Sequence, residues 1–405
     1  MNQSLSASYA SMFLQERSAV YSAQKQIIVE DIIFDYSKES SFIVKNVSGE
    51  ELKINRHIVF NPSICDLHTK EEPPCTKCID SCEYSALMFD KNAKTLMINH
   101  ALCVSCGKCS GACPSGAMQS AKFGFDAFAA ILQSSEESTI LFAKEGDLPR
   151  ITGALPDDTV IVCVDEYAIF NELHLTIAAL KSGGKAAFIS RTLLPPELIK
   201  RVEIANLIVN SLRGRNAVFF LDEEPPSFFA PLNARLENMS IRAAFGEILK
   251  KSGGLCESVL DIGSDMTATV EVKNNCTLCM GCVFVCKSGA FLADEKEGAL
   301  KLNSALCTAC GYCESICPEK SITVNKGFLS LKEEDCSYKV AAIDELFCCA
   351  ECGKPFATKK AINKVSNVFA SLLWDEQKKK TLFCCATCKP KVMLRDSLAR
   401  KMETR

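Results

Sequence analysis

The chain has 405 residues, of which 48% are hydrophobic and 23% charged, with a formal net charge of −3. That balance excludes a disordered chain and gives no general electrostatic basis for binding nucleic acid or an anionic membrane. The length exceeds one ordinary core and calls for about two to four domains. Met1 to Gln26 is polar, with neither a basic n-region nor an apolar h-region, so no signal peptide is predicted. No apolar run approaches the length of a bilayer span. The expected compartment is the cytoplasm, with peripheral docking onto a membrane complex left open. There the 25 cysteines, clustered at C-x2-C spacings, read as metal sites rather than disulfides.

Residues 1–60 carry little chemistry. A helix is predicted over Ser6 to Lys25, and strands over Gln26 to Phe34 and Ser41 to Val44, as a β-rich cap on the first cysteine-rich module. That module, residues 61–123, holds Cys65, Cys75, Cys78, Cys82, Cys103, Cys106, Cys109 and Cys113. Between the two halves of the set, Ser85 to Phe89 and Lys94 to Ile98 predict a hairpin.

Residues 124–262 change character, with only Cys163 and Cys256. Continuous apolar runs at Ser138–Ala143, Thr159–Val164, Lys185–Ser190 and Asn216–Leu221 predict buried strands. Helical patterns at Glu166–Lys181 and Pro196–Leu212 separate them, so a parallel sheet covered on both faces is expected. Asn233 to Lys251 predicts a further helix. Neither a G-x-G-x-x-G turn nor a P-loop occurs. The domain is therefore read as a spacer or docking domain rather than a nucleotide site. Cys163 reads as a buried thiol, and the four histidines, His57, His68, His100 and His174, form no base-plus-nucleophile pattern.

Residues 263–335 carry the most specific signal, Cys307-x2-Cys310-x2-Cys313-x3-Cys317-Pro318, preceded by Cys276, Cys279, Cys282 and Cys286. The pattern recurs 204 positions apart: Cys75, Cys78, Cys82, Cys103, Cys106, Cys109 and Cys113 match Cys279, Cys282, Cys286, Cys307, Cys310, Cys313 and Cys317. Two widely separated copies indicate a duplicated domain and not a solenoid.

Each copy resembles a bacterial-type two-[4Fe–4S] ferredoxin, in which the fourth cysteine of the run ligates the other cluster. The resemblance implies four ligand sets: Cys276, Cys279, Cys282 with Cys317; Cys307, Cys310, Cys313 with Cys286; Cys103, Cys106, Cys109 with Cys82; and Cys75, Cys78, Cys113 with one more group. In that last set Glu72 stands where the second copy has Cys276. Cys65 reaching back is the favoured fourth ligand, with Glu72, Asp66, His68 or a three-iron cluster as alternatives.

In residues 336–405, Cys349-x2-Cys352 and Cys385-x2-Cys388 resemble the knuckles of a zinc ribbon, which implies a closed four-thiolate zinc site with a structural role. The Gly353-x-x-Phe356 turn also resembles a rubredoxin knuckle, where mononuclear iron would sit. Lys389 replaces the matching glycine of the second knuckle. Cys348 and Cys384 read as flanking thiols.

The expected fold is thus two α+β ferredoxin-like modules flanking an α/β parallel-sheet domain, with a small zinc-ribbon-like domain at the C-terminus. The expected function is that of a polyferredoxin-like electron carrier, without catalysis of its own. It would serve redox partners such as a formate dehydrogenase or hydrogenase in anaerobic metabolism. Two alternatives stay open: an oxidoreductase subunit whose middle domain binds a cofactor, and a docking or maturation factor with structural clusters.

Overall fold

The computed structural model describes residues 26–27, 41–45, 51–55, 57–67, 75–135, 138–151, 155–252, 258–370 and 380–395. The helix expected at Ser6–Lys25, and Cys256, lie outside them. By contact density the chain forms two units. One comprises Met1–Thr269, Ser304–Cys310 and Asn325–Ser337; the other comprises Val270–Asn303, Gly311–Val324 and Tyr338–Arg405.

The first unit begins with β1 (Gln26–Ile27), the hairpin β2 (Ser41–Lys45) and β3 (Glu51–Asn55), and β4 (Ile58–Phe60). After α1 (Lys77–Asp80), β5 (Leu87–Asp90) and β6 (Thr95–Ile98) form an antiparallel hairpin in which Leu87 opposes Ile98. Then come α2 (Lys108–Gly111) and β7 (Met118–Ser120). β7 pairs antiparallel with β4, so the first cysteine module takes in residues just before the boundary expected at 61. β1 takes the edge of the α/β sheet beside the strand Thr159–Cys163, which gives part of the expected cap a different place.

That sheet has the parallel order β1, β9 (Thr159–Cys163), β8 (Thr139–Ala143), β10 (Ala186–Phe188) and β11 (Val218–Phe220). The helices are α3 (Phe125–Ser134), α4 (Glu172–Lys181), α5 (Pro196–Arg213) and α6 (Ile241–Lys251). Ile140, Phe142, Val160, Val162 and Phe188 face a core built with Phe128, Leu173, Ile177, Val202 and Phe245 from these helices. The opposite face, including Leu141, Ile161, Ala187 and Phe219, packs on Leu148, Ile151, Leu155, Leu193 and Leu221 of connecting segments. The described residues of that second layer include none from an α-helix. A continuous apolar strand reports that both faces are dry, without specifying which element dries them.

Two helices start later than their patterns suggest. Glu166–Lys181 divides into a 3-10 turn, Tyr167–Ile169, and α4, because Asn171 caps Leu173 and His174 while His174 Nδ1 faces the Asn171 amide in return. α6 starts at Ile241, where the Ser240 hydroxyl accepts the Ala243 N–H and Asn238 has φ +59.

The aromatic core fixes this domain. Phe142 is 1% exposed and its ring centroid lies 4.7 Å from that of Phe170 and 5.8 Å from that of Phe188. Phe142→Ala should cost about 3–5 kcal/mol by denaturant unfolding, from lost burial plus the cavity left behind. A loss below about 1 kcal/mol would mean that the neighbouring rings collapse into the space.

In the second unit, Phe291–Asp294 and Ala299–Leu302 form a hairpin in which Phe291 opposes Leu302, the register of β5 and β6 displaced by the repeat. A third strand, Lys339–Ile343, joins Ala299–Leu302. The short helices Gly281–Val285 and Tyr312–Ile316, the hairpin Leu346–Cys348 with Pro355–Thr358 and the helix Lys359–Ala370 also belong to this unit. Among the described residues no helix is long and apolar enough to cross a membrane.

Candidate metal centres

The repeat is legible in the backbone. Left-handed residues recur at matching positions of the two copies: Ser85 and Gly289, Lys94 and Gly298, Ser105 and Ala309, Gly107 and Gly311, Gly116 and Lys320. Non-glycine residues rarely adopt this conformation, and it turns successive N–H groups toward one concavity. Three cysteine loops share it at the second and fourth positions after their first cysteine: Ser105 and Gly107, Leu278 and Met280, Ala309 and Gly311. At the loop of Cys75–Cys78, Thr76 stands at the place of left-handed Met280 and has φ −123.

That departure coincides with the missing cysteine. In the first unit Cys65, Cys75, Cys78 and Cys113 line one small cavity with Phe60, Asp66 and Lys77. Burial, with the neighbouring Cys113 and Cys75, pushes the Cys65 thiol up to about 12 after the Leu67 N–H has lowered it. Cys78 is raised by burial and then by Cys113, Cys75 and Cys65. The Leu67 N–H donates to Cys65 Sγ at 3.4 Å, and the Met118 N–H donates to Cys113 Sγ at 3.4 Å. Glu72 and His68 lie outside the described residues. Asp66 is buried and its carboxyl pKa raised by burial, while Thr308, Arg242 and Lys77 lower it.

Cys82, Cys103, Cys106 and Cys109 line a second cavity in this unit, with Tyr84 and Val104 at its rim. Cys109 is pushed up to about 12 by burial and by Cys103, Cys106 and Cys82. The cavity is held against the α/β domain, where Gly107 (φ +73) would set a Cβ 2.5 Å from Ile169 Cγ2. Arg201 secures the same segment by donating to the carbonyls of Phe170 (2.6 Å) and Ala168 (3.3 Å).

In the second unit Cys276, Cys279, Cys282 and Cys317 line one cavity. Burial, then Cys276 and Cys279, push Cys282 up to about 12. Against burial, the Ser321 hydroxyl and N–H lower Cys317. Of the remaining set, Cys307 and Cys310 fall in the first unit and Cys286 and Cys313 in the second.

Clustered buried thiols of this kind fit a cluster. Ionising them in a dry pocket is unfavourable without a cation, whereas iron takes them as thiolates and the backbone N–H groups stabilise the sulfur charge.

The C-terminal site differs in kind. The Sγ atoms of Cys349, Cys352, Cys385 and Cys388 all lie within 4.8 Å of one another. The Cys349 N–H donates to the Lys354 carbonyl (2.8 Å) and the Gly353 N–H to the Cys349 carbonyl (2.9 Å), closing a knuckle in which Gly353 has φ +70. The second pair is presented otherwise: Cys388 and Lys389 donate to the Cys385 carbonyl, and a helix runs over 389–395. A ribbon would put both knuckles on hairpins, but Lys389 in place of glycine continues the helical turn. The Cys385 N–H, 3.2 Å from Cys349 Sγ, holds that thiol down to about 6. Cys348 is exposed and Cys384 buried.

Other groups have structural places. His174 is held near 3, well below its ordinary value, by burial and by Arg201. Cys163 and Cys336 are buried. A cavity of about 430 Å³ in the α/β domain is lined by Thr139, Asp158 and Lys185 at the amino ends of β8, β9 and β10, and by Phe219, Leu221 and Glu223 in and after β11. Open α/β sheets bind ligands at the carboxyl edge.

Profiles of the 4Fe–4S dicluster domain match this chain over residues 74–117 and again over residues 268–318. The archaeal-type glutamate synthases (NADPH) of Thermotoga sp. (strain RQ2) and Thermotoga maritima are similar to it, each 37% identical over 57 residues. That segment is 14% of this chain and 11% of each synthase, so the chain spans about a tenth of the length of these curated relatives. The chain carries two 4Fe–4S dicluster ferredoxin domains and a four-cysteine cluster near its C-terminus, as a polyferredoxin-like protein does.

Proposed function

We propose that the chain relays single electrons through up to four [4Fe–4S] clusters, to or from a larger oxidoreductase such as a formate dehydrogenase or hydrogenase, in the cytoplasm. The observation that carries this is the convergence of two separate four-cysteine sets within one unit. Cys65, Cys75, Cys78 and Cys113 would hold one cluster, and Cys82, Cys103, Cys106 and Cys109 another. Cys276, Cys279, Cys282 and Cys317 would hold a third, and Cys286, Cys307, Cys310 and Cys313 a fourth. A bound cluster with four thiolate ligands supplies one-electron chemistry and leaves no iron open to substrate. The residues around it set potential through N–H donors, burial and charge. Cys349, Cys352, Cys385 and Cys388 would hold zinc, since four thiolates in tetrahedral reach make a closed structural site.

The test is anaerobic iron, sulfide and zinc analysis beside EPR, before and after dithionite. About sixteen iron, sixteen sulfide and one zinc per chain, with reduced-cluster signals at low potential, are expected. Clusters that dithionite cannot reduce would sink the relay and favour a docking factor.

A further inference from the structure

Arg242 is unused by the cluster sets, yet among the described residues it is the largest side chain buried to this degree, at 2% exposure. It stands on the first turn of α6, and two glycines show how tightly that helix is held. A Cβ at Gly116, three residues after Cys113, would lie 2.7 Å from Ile241 Cγ2. A Cβ at Gly246 would lie 2.8 Å from Leu306 Cδ2, immediately before Cys307. Within the first unit, then, α6 is wedged between the segment after Cys113 and the turn that leads into Cys307.

The guanidinium reaches the first of these. Its Nε–H donates to the carbonyl of Pro114 at 3.1 Å, and a second N–H donates to the Met266 carbonyl. The Phe245 ring lies 5.6 Å away. Those partners are neutral, and a buried guanidinium is costly unless negative charge stands near it. Four acidic side chains stand within electrostatic reach of it: Cys307, Asp66, Glu172 and Cys113. Two of the four are cysteines of the ligand sets, one from each copy of the repeat. Asp66 belongs to the same arrangement, since its carboxylate accepts from Thr308, the neighbour of Cys307.

Reduction adds one negative charge to a cluster, and in a dry surrounding a fixed cation a few ångströms away stabilises the reduced form most at the nearest centres. We propose that Arg242 is a shared potential-setting residue, its single buried charge raising the reduction potentials of the cluster ligated by Cys113 and of the cluster ligated by Cys307 together. This rests on the cluster assignment proposed above.

The experiment is a potentiometric titration of the full chain followed by EPR, with iron content measured on each sample. In Arg242→Gln, two of the clusters should move to lower potential while the others stay where they are. Arg242→Lys, which keeps the charge, should return both toward the unmutated values. Should Arg242→Gln fail to retain iron, Glu172→Gln replaces it. That change removes a negative charge facing the guanidinium while keeping an oxygen for the Ser264 hydroxyl, and the same two clusters should then rise. Fully loaded variants with unchanged potentials, or with all clusters shifted alike, would overturn the assignment while leaving the relay intact. Unmutated protein without reducible clusters would instead overturn the relay.

Discussion

Cys65→Ala should lower the iron content by about four atoms per chain and leave about twelve in place. Cys65, Cys75, Cys78 and Cys113 line one cavity, and three thiols alone leave one corner of a cubane without a protein ligand. Glu72→Ala should leave iron content and EPR unchanged. A three-iron signal after oxidation of the Cys65 variant is a second accepted form of the result, because it still marks a lost fourth ligand. The opposite pattern, iron lost with Glu72→Ala and kept with Cys65→Ala, would transfer the ligand role to Glu72. The effect should stay local. Cys82, Cys103, Cys106 and Cys109 close their own cavity, so the second cluster of the module should persist with its own signal.

Much of this site was legible because iron–sulfur ligation is written in sequence spacing. The seven cysteines matched between the copies and the hairpin between the halves both derive from one pattern. Cys65 was legible only as a candidate, because no spacing rule governs a ligand that reaches back over a loop. The backbone marks the departure there: Thr76, at the place of left-handed Met280, has φ −123. The rest of the fold depended on long-range choices that local patterns do not hold. The apolar runs of β8 and β9 told that both sheet faces are dry, but not that loops fill one of them. Arg242 had no signal at all. An arginine following Ser240 and Ile241 reads as a solvated helix position, and only tertiary packing between Gly116 and Leu306 encloses it.

Removing the metal from the C-terminal site should unfold that segment while the clusters keep their absorbance. Among the described residues its buried apolar cluster consists of Cys349, Cys384, Cys388 and Val392, with Phe356 and Cys385 partly buried against them, and four of those six are the ligands or the flanking thiol. A core that small cannot offset the entropy of ordering the chain, so metal binding, worth roughly 10–16 kcal/mol in comparable structural zinc sites, would supply the folding free energy. Cys388→Ala, or a zinc chelator on the intact protein, should release one metal ion and expose residues 346–395 to proteolysis and hydrogen exchange. Acid should act in the same direction. Cys349 is held down to about 6 from an ordinary 9.0, so the stabilisation it gives is complete above the ordinary value and is lost as pH falls through about 6. Protection of 346–395 that survives metal release would show that packing holds the segment. A metal ion with its own visible absorption and a redox signal would assign iron, and with it a further one-electron centre in place of a structural one.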